Sequence, residues 1–572
     1  MNGSVQNHFS RGRMFAVLAM LAVAGVALMG RLFELHLLQG DFLQQQGDSR
    51  YLRVVSVAAH RGMIVDRNGE PLAVSTPVDS VWVNPKEFIT GHDQWGQLGK
   101  LLDLSNESIE RLIAQKMDKE FVYLRRQIPP ELGEQVMALA IPGVSLSREY
   151  RRYYPTGEVC AHVVGFTNVD DSGQEGIELM LDSALRGEPG AKRVIKDRLG
   201  RVIENVESIS DPRPGHDVRI SIDRRLQYLA YRELKSAVMR NHAHAGSAVI
   251  IDVKTGEVLA AVNQPSYNPN NREDMAGSRY RNRAVTDVFE PGSTVKPFTI
   301  AMALESGKYR PDTPIDTTPG SLKLASYTIH DVHNLGLIDV STVIQKSSNV
   351  GASLIALSLD SKSLWDAFTH AGFGYSTGSG FPGEASGLLK YYRDWRPVEH
   401  ATISYGYGLS VTALQLAQAY TVLAGDGRLR PVTFLVRDPD QIPEGAPAFK
   451  PETMKTVRTM LERVVSDGGT GTLARVAGYR VAGKTGTVRK LGPDGYSEKN
   501  YLSVFAGMAP ASNPRLVMVV MIDQPSGDMY YGGAVAAPVF GAVMGGALRL
   551  MNIPPDDVQT NTQRVAMAEG TQ

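Results

Sequence analysis

The sequence predicts an α+β protein: an N-terminal transmembrane helix, an elongated mixed domain, and a C-terminal domain of helices packed on an antiparallel sheet. Three observations predict it. At 572 residues the chain exceeds what one hydrophobic core organises, so two or three domains are expected. One uncharged apolar run stands near the N-terminus, at residues 14–30. Beyond residue 223, strand-like runs lie at both ends of the segment with helical patterns between them. That is the order of an α+β domain with one antiparallel sheet.

The apolar run (MFAVLAMLAVAGVALMG) follows Arg11 and Arg13. At ~1.5 Å per residue it covers roughly 25 Å, slightly under the ~30 Å hydrocarbon core. Leu32, Phe33, Leu35 and Leu37 continue it amphipathically, with Arg31 able to snorkel, so a span over 14–38 is expected. The flanking arginines place a tail, 1–13, in the cytoplasm and everything after residue 40 outside. The competing reading is a cleaved signal peptide with Ala22-Val23-Ala24 as its small-residue site. The apolar run continues past that cut, which favours the anchor, and both readings export the bulk of the chain.

From 39 to 222 the pattern is mixed. Residues 54–57 read as a strand after a polar linker, and Asn68-Gly69 between apolar runs marks a hairpin over 60–73. Residues 93–140 have helical periodicity broken at Pro129-Pro130, and 155–220 are rich in Gly, Pro and Asp, with a short strand at 218–222. The denser domain, 223–552, opens with a helix over 225–239 and a hairpin over 247–262 around Lys254-Thr255-Gly256. It closes with adjacent strands at 504–508 and 515–522 and an apolar helix over 538–551. After Pro554-Pro555 the tail, 553–572, is polar and expected to be disordered.

Composition removes several function classes. Lys+Arg and Asp+Glu balance at 60 each, giving no basic excess for nucleic acid. Cys160 is the single cysteine, so an intrachain disulfide and a Cys-based metal site are both excluded; it reads as a buried thiol. The 12 histidines show no metal-ligand spacing, and His60, His162, His242 and His244 read as surface or packing residues.

The chemistry centres on Ser293. In Glu290-Pro291-Gly292-Ser293-Thr294-Val295-Lys296, Pro-Gly marks a turn before an apolar helical run, so Ser293 falls at the helix N-terminus. Lys296 lies one turn further on the same face. An amine beside a hydroxyl activates a serine without histidine, provided that burial or a second cation lowers a pKa of ~10.4 to about 7–8. Taken alone, Ser-x-x-Lys is more often a helix cap followed by a solvated lysine. Two further motifs reverse that weighting: Ser347-Ser348-Asn349 and Lys484-Thr485-Gly486-Thr487, in that order. Ser266-Tyr267-Asn268 and Lys254-Thr255-Gly256 match the same patterns but precede Ser293, so both read as structural. Glu290, a lone carboxylate beside a turn, is expected to be solvated.

With those motifs in order, the chain resembles the class B penicillin-binding proteins. Residues 61–73, 152–166, 176–178, 289–298, 405–412 and 532–540 carry the likeness, which extends over nearly everything from 50 to 552. The single anchor, short tail and length are most similar to the division-specific peptidoglycan transpeptidases. No glycosyltransferase domain is recognisable ahead of 39–222, so the bifunctional class A type is not expected.

The resemblance makes 39–222 the pedestal (dimerisation-type) domain and 223–552 the penicillin-binding transpeptidase domain. It implies that Ser293 attacks the carbonyl between two terminal D-alanines, Lys296 takes its proton, and Ser347 relays a proton to the leaving amine. Asn349 holds the donor backbone and Lys296. Lys484 supplies charge, and Thr485 and Thr487 supply hydroxyls for the substrate carboxylate. Gly486 permits close approach, and the N–H groups of Ser293 and Thr487 form the oxyanion hole. Tyr407, in Tyr405-Gly406-Tyr407-Gly408, is a candidate border of the cleft, against the bland reading of a glycine turn. Arg61 and Gly62 are expected to hold the fold or a partner protein. No metal or organic cofactor is implied. The implied partners are stem peptides ending in D-Ala-D-Ala, β-lactams, a membrane glycosyltransferase and other division proteins, at an inner membrane with the catalytic domain in the periplasm. The alternatives are a D,D-carboxypeptidase or β-lactamase using the same serine, an elongation-specific transpeptidase, and a catalytically silent scaffold.

Overall fold

The computed structural model describes residues 11–39, 52–196, 202–271, 277–492, 495–527 and 529–557. Most of the expected cytoplasmic tail, the linker 40–51 and the polar tail from 558 lie outside the described residues. Helix α1 (Arg11–Phe33) passes into a π-helical turn, Glu34–Leu38, so the helical stretch ends where the sequence places the end of the span. Its apolar side chains are bare, with Met20 75% and Val26 72% exposed. Gly12–His36 is long and apolar enough to cross a membrane. A lipid phase would supply the burial that the protein does not.

Contacts divide the chain into two units that interleave in sequence. One comprises Met1–His60, Pro77–Tyr150 and Gly187–Pro214; the other comprises Arg61–Thr76, Arg151–Arg186 and Gly215–Gln572. The first contains β1 (Leu52–Val57), the later part of β2 (Pro71–Val83), α2 (Trp95–Leu102), α3 (Asn106–Gln115), β3 (Val122–Ile128), α4 (Pro130–Ala138), most of β4 (Val144–Tyr153), β5 (Gly190–Lys196) and β6 (Val202–Ser210). β1, β5 and β6 form an antiparallel sheet in that order. β2 pairs with β3, Val83 facing Val122, and Leu98, Leu102, Ile109 and Ile113 close a small core over Val81 and Val83. Strand β3 falls inside the region where helical periodicity was expected. Val122 and Leu124 alternate as a strand should, but Gln127 then adopts φ +58 and the register shifts opposite Val81, so the alternation is too short to read.

In the second unit the expected hairpin pairs Ile64 with Ala73 across Asn68-Gly69, with Gly69 at φ +89 and Asp66 Oδ1 accepting from the N–H groups of Asn68 and Glu70. Arg61 is fully buried, as an ion-pair hub. Its Nε donates to Glu178 Oε2 at 2.8 Å, its Nη1 to Asp182 Oδ1 at 2.8 Å, and Arg152 Nε takes the other Glu178 oxygen at 2.6 Å. Gly62 beside it has no room for a Cβ, which would sit 2.1 Å from His216 O.

The rest of this unit has three layers. In chain order it carries α5 (Arg224–Arg240), β7 (Ala245–Asp252), β8 (Val258–Gln264), α6 (Lys296–Glu305), α7 (Val340–Lys346), α8 (Asn349–Leu357), α9 (Pro397–Ile403), α10 (Ala413–Ala424), α11 (Pro451–Val465), β9 (Ala482–Gly492), β10 (Gly495–Ala509), β11 (Leu516–Asp523) and α12 (Ala537–Leu550). The sheet order is β8-β7-β11-β10-β9, antiparallel throughout. Along β11, Leu516, Met518, Val520 and Ile522 pack towards α5 and α12, while Val517, Val519 and Met521 join the core that includes α6, α10 and α11. A sheet covered on both faces has no polar side to alternate with, hence the continuous run RLVMVVMI. The sandwich leaves β9 at the sheet edge, where it meets the turn before α6.

Candidate active site

Ser293 lies on a 3-10 turn, Gly292–Val295, that leads directly into α6. Gly292 sits at φ +54, and a Cβ there would be 2.4 Å from the Val488 side chain, so glycine alone lets this turn lie against β9. Thr294 Oγ1 donates to Pro291 O at 2.7 Å, and the buried Tyr420 hydroxyl donates to Thr294 O at 2.8 Å. Between Pro291 and Phe298 only Ser293 is partly exposed.

Lys296 is fully buried. Its Nζ stands 3.0 Å from Ser293 Oγ, 2.6 Å from Ser347 O, 2.8 Å from Asn349 Oδ1 and 3.2 Å from Ser347 Oγ. The Ser347 carbonyl and the Asn349 amide oxygen can only accept. The amide is oriented by Nδ2, which donates to His330 O at 3.1 Å. A neutral amine has two N–H bonds, which those two acceptors use, leaving its lone pair for the Ser293 hydroxyl hydrogen. Burial and the charge of Lys484 push Lys296 well below the usual lysine range, with Asp331 opposing.

Lys484, on β9, is also fully buried. Its Nζ lies 2.9 Å from Ser347 Oγ and 3.2 Å from Thr485 O, and burial lowers it to about 7. The Ser347 hydroxyl therefore bridges two amines. Ser347 holds φ +61 at the end of α7, a left-handed conformation that costs a non-glycine residue ~1–2 kcal/mol. Strain of this kind persists where the surroundings over-determine it.

The third motif is split. Thr485 Oγ1 is 2.8 Å from Thr470 Oγ1 and 3.5 Å from Lys484 Nζ. Thr487 is half-buried, its Oγ1 accepting from Gly532 N at 3.0 Å. A Cβ on Gly486 would sit 3.0 Å from Pro291 O, and one on Gly292 would lie 3.8 Å from Thr487 O, so the strand lies against the backbone of the turn that carries Ser293. Tyr407 is further out. Its ring packs on Tyr405 and Tyr496, at 5.7 and 5.4 Å between centroids, and it is the Tyr405 ring that comes within 6.0 Å of Lys296 Nζ. The two earlier look-alike motifs lie elsewhere: Lys254-Thr255-Gly256 is the turn of the β7–β8 hairpin, and Ser266 bonds Glu158 O.

The transpeptidase domain of penicillin binding proteins matches residues 246–545, and the penicillin-binding protein dimerisation domain matches 56–220. Peptidoglycan D,D-transpeptidase FtsI of Escherichia coli K12 is 45% identical over 566 residues, covering 97% of this chain and 95% of its own. The chain is a class B penicillin-binding protein. The probable peptidoglycan D,D-transpeptidase PbpC of Pseudomonas aeruginosa is 42% identical over 547 residues, covering 96% of each. Among solved structures, the transpeptidase domain of Burkholderia pseudomallei penicillin-binding protein 3 is 46% identical with a TM-score of 0.55, covering 59% of this chain and 97% of that one. A peptidoglycan synthetase from Bifidobacterium adolescentis, 24% identical, shares the fold with a TM-score of 0.70 over 88% of this chain and 98% of its own.

Two features of this penicillin-binding protein differ from the sequence reading or were missed by it. Glu290 is not solvated. Its Oε1 accepts from Gly408 N at 2.7 Å and from the Tyr496 hydroxyl at 2.9 Å, and burial raises its pKa. It thus ties the tyrosine-glycine run and the β9–β10 hairpin to the turn that carries Ser293. Asp331 was not singled out at all, yet its carboxylate accepts from the first two N–H groups of α8. Cys160 is buried, its thiol pushed up to about 12, and His162 is buried against Arg279 O; neither joins the site.

Proposed function

We propose that this penicillin-binding protein is a septal peptidoglycan D,D-transpeptidase whose acyl-enzyme forms on Ser293. The observation that carries the mechanism is the buried Lys296 amine, 3.0 Å from Ser293 Oγ with both of its hydrogens already engaged. Ser293 Oγ bonds the carbonyl carbon between the last two D-alanines as Lys296 takes its proton. The N–H groups of Ser293 and Thr487 receive the oxyanion. Collapse breaks the C–N bond, and the leaving D-alanine amine takes the proton from Lys296 through the Ser347 hydroxyl. An amine of a neighbouring stem peptide then attacks the ester, returns a proton along the same relay, and leaves a cross-link and free Ser293.

Asn349 aligns the donor strand, while Lys484 with the Thr485 and Thr487 hydroxyls holds its terminal carboxylate. Gly486 admits the substrate backbone, and Tyr407 borders the cleft from its place beside Tyr405. These steps balance without a metal or an organic cofactor. β-Lactams acylate the same serine.

The septal assignment rests on likeness to FtsI. Arg11 and Arg13, in the first turn of α1 and ahead of its apolar run, support a single inner-membrane pass with the catalytic domain in the periplasm. We read 39–222 as the pedestal, 223–552 as the transpeptidase domain and 553–572 as a disordered tail. A membrane glycosyltransferase and other division proteins are the partners this reading entails.

Fluorescent penicillin is expected to label the purified full chain covalently, and Ser293→Ala to abolish labelling; a mutant that still labels sinks the mechanism. Rapid loss of label in water makes the protein a hydrolase. Depletion that rounds cells, instead of producing filaments, makes its role elongation.

A further inference from the structure

We infer that Asp331 is a positioning residue for the transfer reaction: its carboxylate fixes where Ser347 and Asn349 stand against Lys296. The inference rests on the reading of Ser293 as nucleophile and Lys296 as its base. Asp331 follows the two-stranded hairpin Ser321–Leu324/Tyr327–His330, and its own N–H donates to Gly320 O at 2.9 Å on the far side of that hairpin. It is therefore anchored at the hairpin base, 18 positions before Asn349.

From there its carboxylate meets the start of α8. Oδ1 accepts from the N–H groups of Asn349 and of Val350, the latter at 3.0 Å, and Oδ2 accepts from Ser348 Oγ at 2.5 Å. A helix N-terminus exposes backbone donors that a local cap ordinarily covers. Here the local cap, Ser348, covers one, Gly351 N at 2.8 Å. The hairpin acid covers the two before it. The neighbouring His330 carbonyl grips the same asparagine by its side chain, accepting from Nδ2 at 3.1 Å. Asn349 is thus held by backbone and side chain together, with Oδ1 left aimed at Lys296.

The effect reaches Ser347, because only Ser347 and Ser348 separate α7 from α8. Ser347 is in the left-handed region and presents both its carbonyl and its hydroxyl to Lys296. Freed at the α8 end, this two-residue link can relax, taking both contacts with it. Asp331 also has an electrostatic part. The titratable groups facing Lys296 are Lys484 from β9, Asp331 from the hairpin base and the Tyr405 ring from the loop after α9. Asp331 is the anion among them and opposes Lys484.

The test measures the second-order rate constant for acylation by a fluorescent penicillin across pH, on the full chain, beside thermal melting. Asp331→Ala is expected to lower the rate on the order of 100-fold, the scale of a misplaced catalytic group. Asp331→Asn keeps an acceptor for the two N–H groups without the charge. Its rate is expected to fall less than about tenfold, with the acid limb of the profile moved to lower pH because Lys296 loses its facing anion. Wild-type rates and limb in both variants overturn the inference. So does a lowered melting temperature with unchanged acylation of the folded fraction, which would make Asp331 a helix cap and no more. If Asp331→Ala does not fold, the limb of Asp331→Asn decides alone. Failure of the underlying reading looks different: wild type unlabelled, or Ser293→Ala still labelled, in the same series.

Discussion

Lys296 and Lys484 touch the same Ser347 hydroxyl, at 3.2 and 2.9 Å, so the order in which they lose protons governs when the site works. With both charged, Ser293 has no base. Burial and the Lys484 charge push Lys296 well below the lysine range, and burial lowers Lys484 to about 7. On the proposed mechanism the competent state has Lys296 neutral and Lys484 charged. If that state is the one that acylates, the rate on the free protein should follow a bell, rising as Lys296 loses its proton and falling near pH 7 as Lys484 loses its own. At saturating concentrations of a carboxylate-bearing penicillin the falling limb should move alkaline, since the bound anion supports the Lys484 charge. Stopped-flow acylation at low and high ligand checks this, and an identical falling limb in both regimes contradicts it. Five residues that the structure gathers here, Ser293, Lys296, Ser347, Asn349 and Lys484, were legible from their types, order and spacing. Asp331 and Glu290 were not, because each acts through a fold-made neighbour: Glu290 meets Tyr496 across 206 positions. Nothing in a short window encodes that.

At the scale of elements, the turn bearing Ser293 is wedged between β9 and the tyrosine-glycine run. Gly406 has φ +93, and a Cβ there would sit 2.1 Å from Gly292 O, while Gly292 N donates to Gly406 O at 3.1 Å. Gly406→Ala should combine left-handed strain with a backbone clash and push the nucleophile turn out of line, lowering acylation by about 100-fold. A fluorescent-penicillin time course on the folded variant measures it; a rate within about threefold of wild type would show the turn to be more compliant than close packing implies. The elements read well from the sequence were those whose burial is regular: α5, the β7–β8 hairpin, the β10–β11 pair and α12. Those that escaped it are short or irregular. The one-turn helices Ala161–Val164, Gly176–Met180 and Asp182–Leu185 are too brief to show a period, and they exist because the surrounding core holds them. Helix α12 makes the complementary point. By length and composition the stretch Gly532–Leu550 passes for a membrane span like that of α1, but more than half of it is buried on the sheet.

Across the whole molecule, segments far apart in sequence are joined by buried charge as well as by apolar packing. Arg61, Glu178 and Arg152 have fully buried side chains. Arg61→Ala would leave the Glu178 carboxylate with half its partners in a dry interior, so a loss of about 3–5 kcal/mol is expected. Denaturant unfolding reads it, and a change under about 1 kcal/mol would mean that water reaches the cluster. The sheet order adds a temporal consequence. β7, from the early part of the catalytic unit, pairs on one side with β8 and on the other with β11, whose partner β10 in turn carries β9. Lys484 therefore cannot reach Ser347 until a strand about 270 positions further along than β7 has been delivered. As the chain emerges in order, Ser293 is exposed long before its second lysine arrives and α12 closes the sheet. On the proposed mechanism Ser293 thus stays unarmed while the chain folds, and becomes reactive only as the last strands dock.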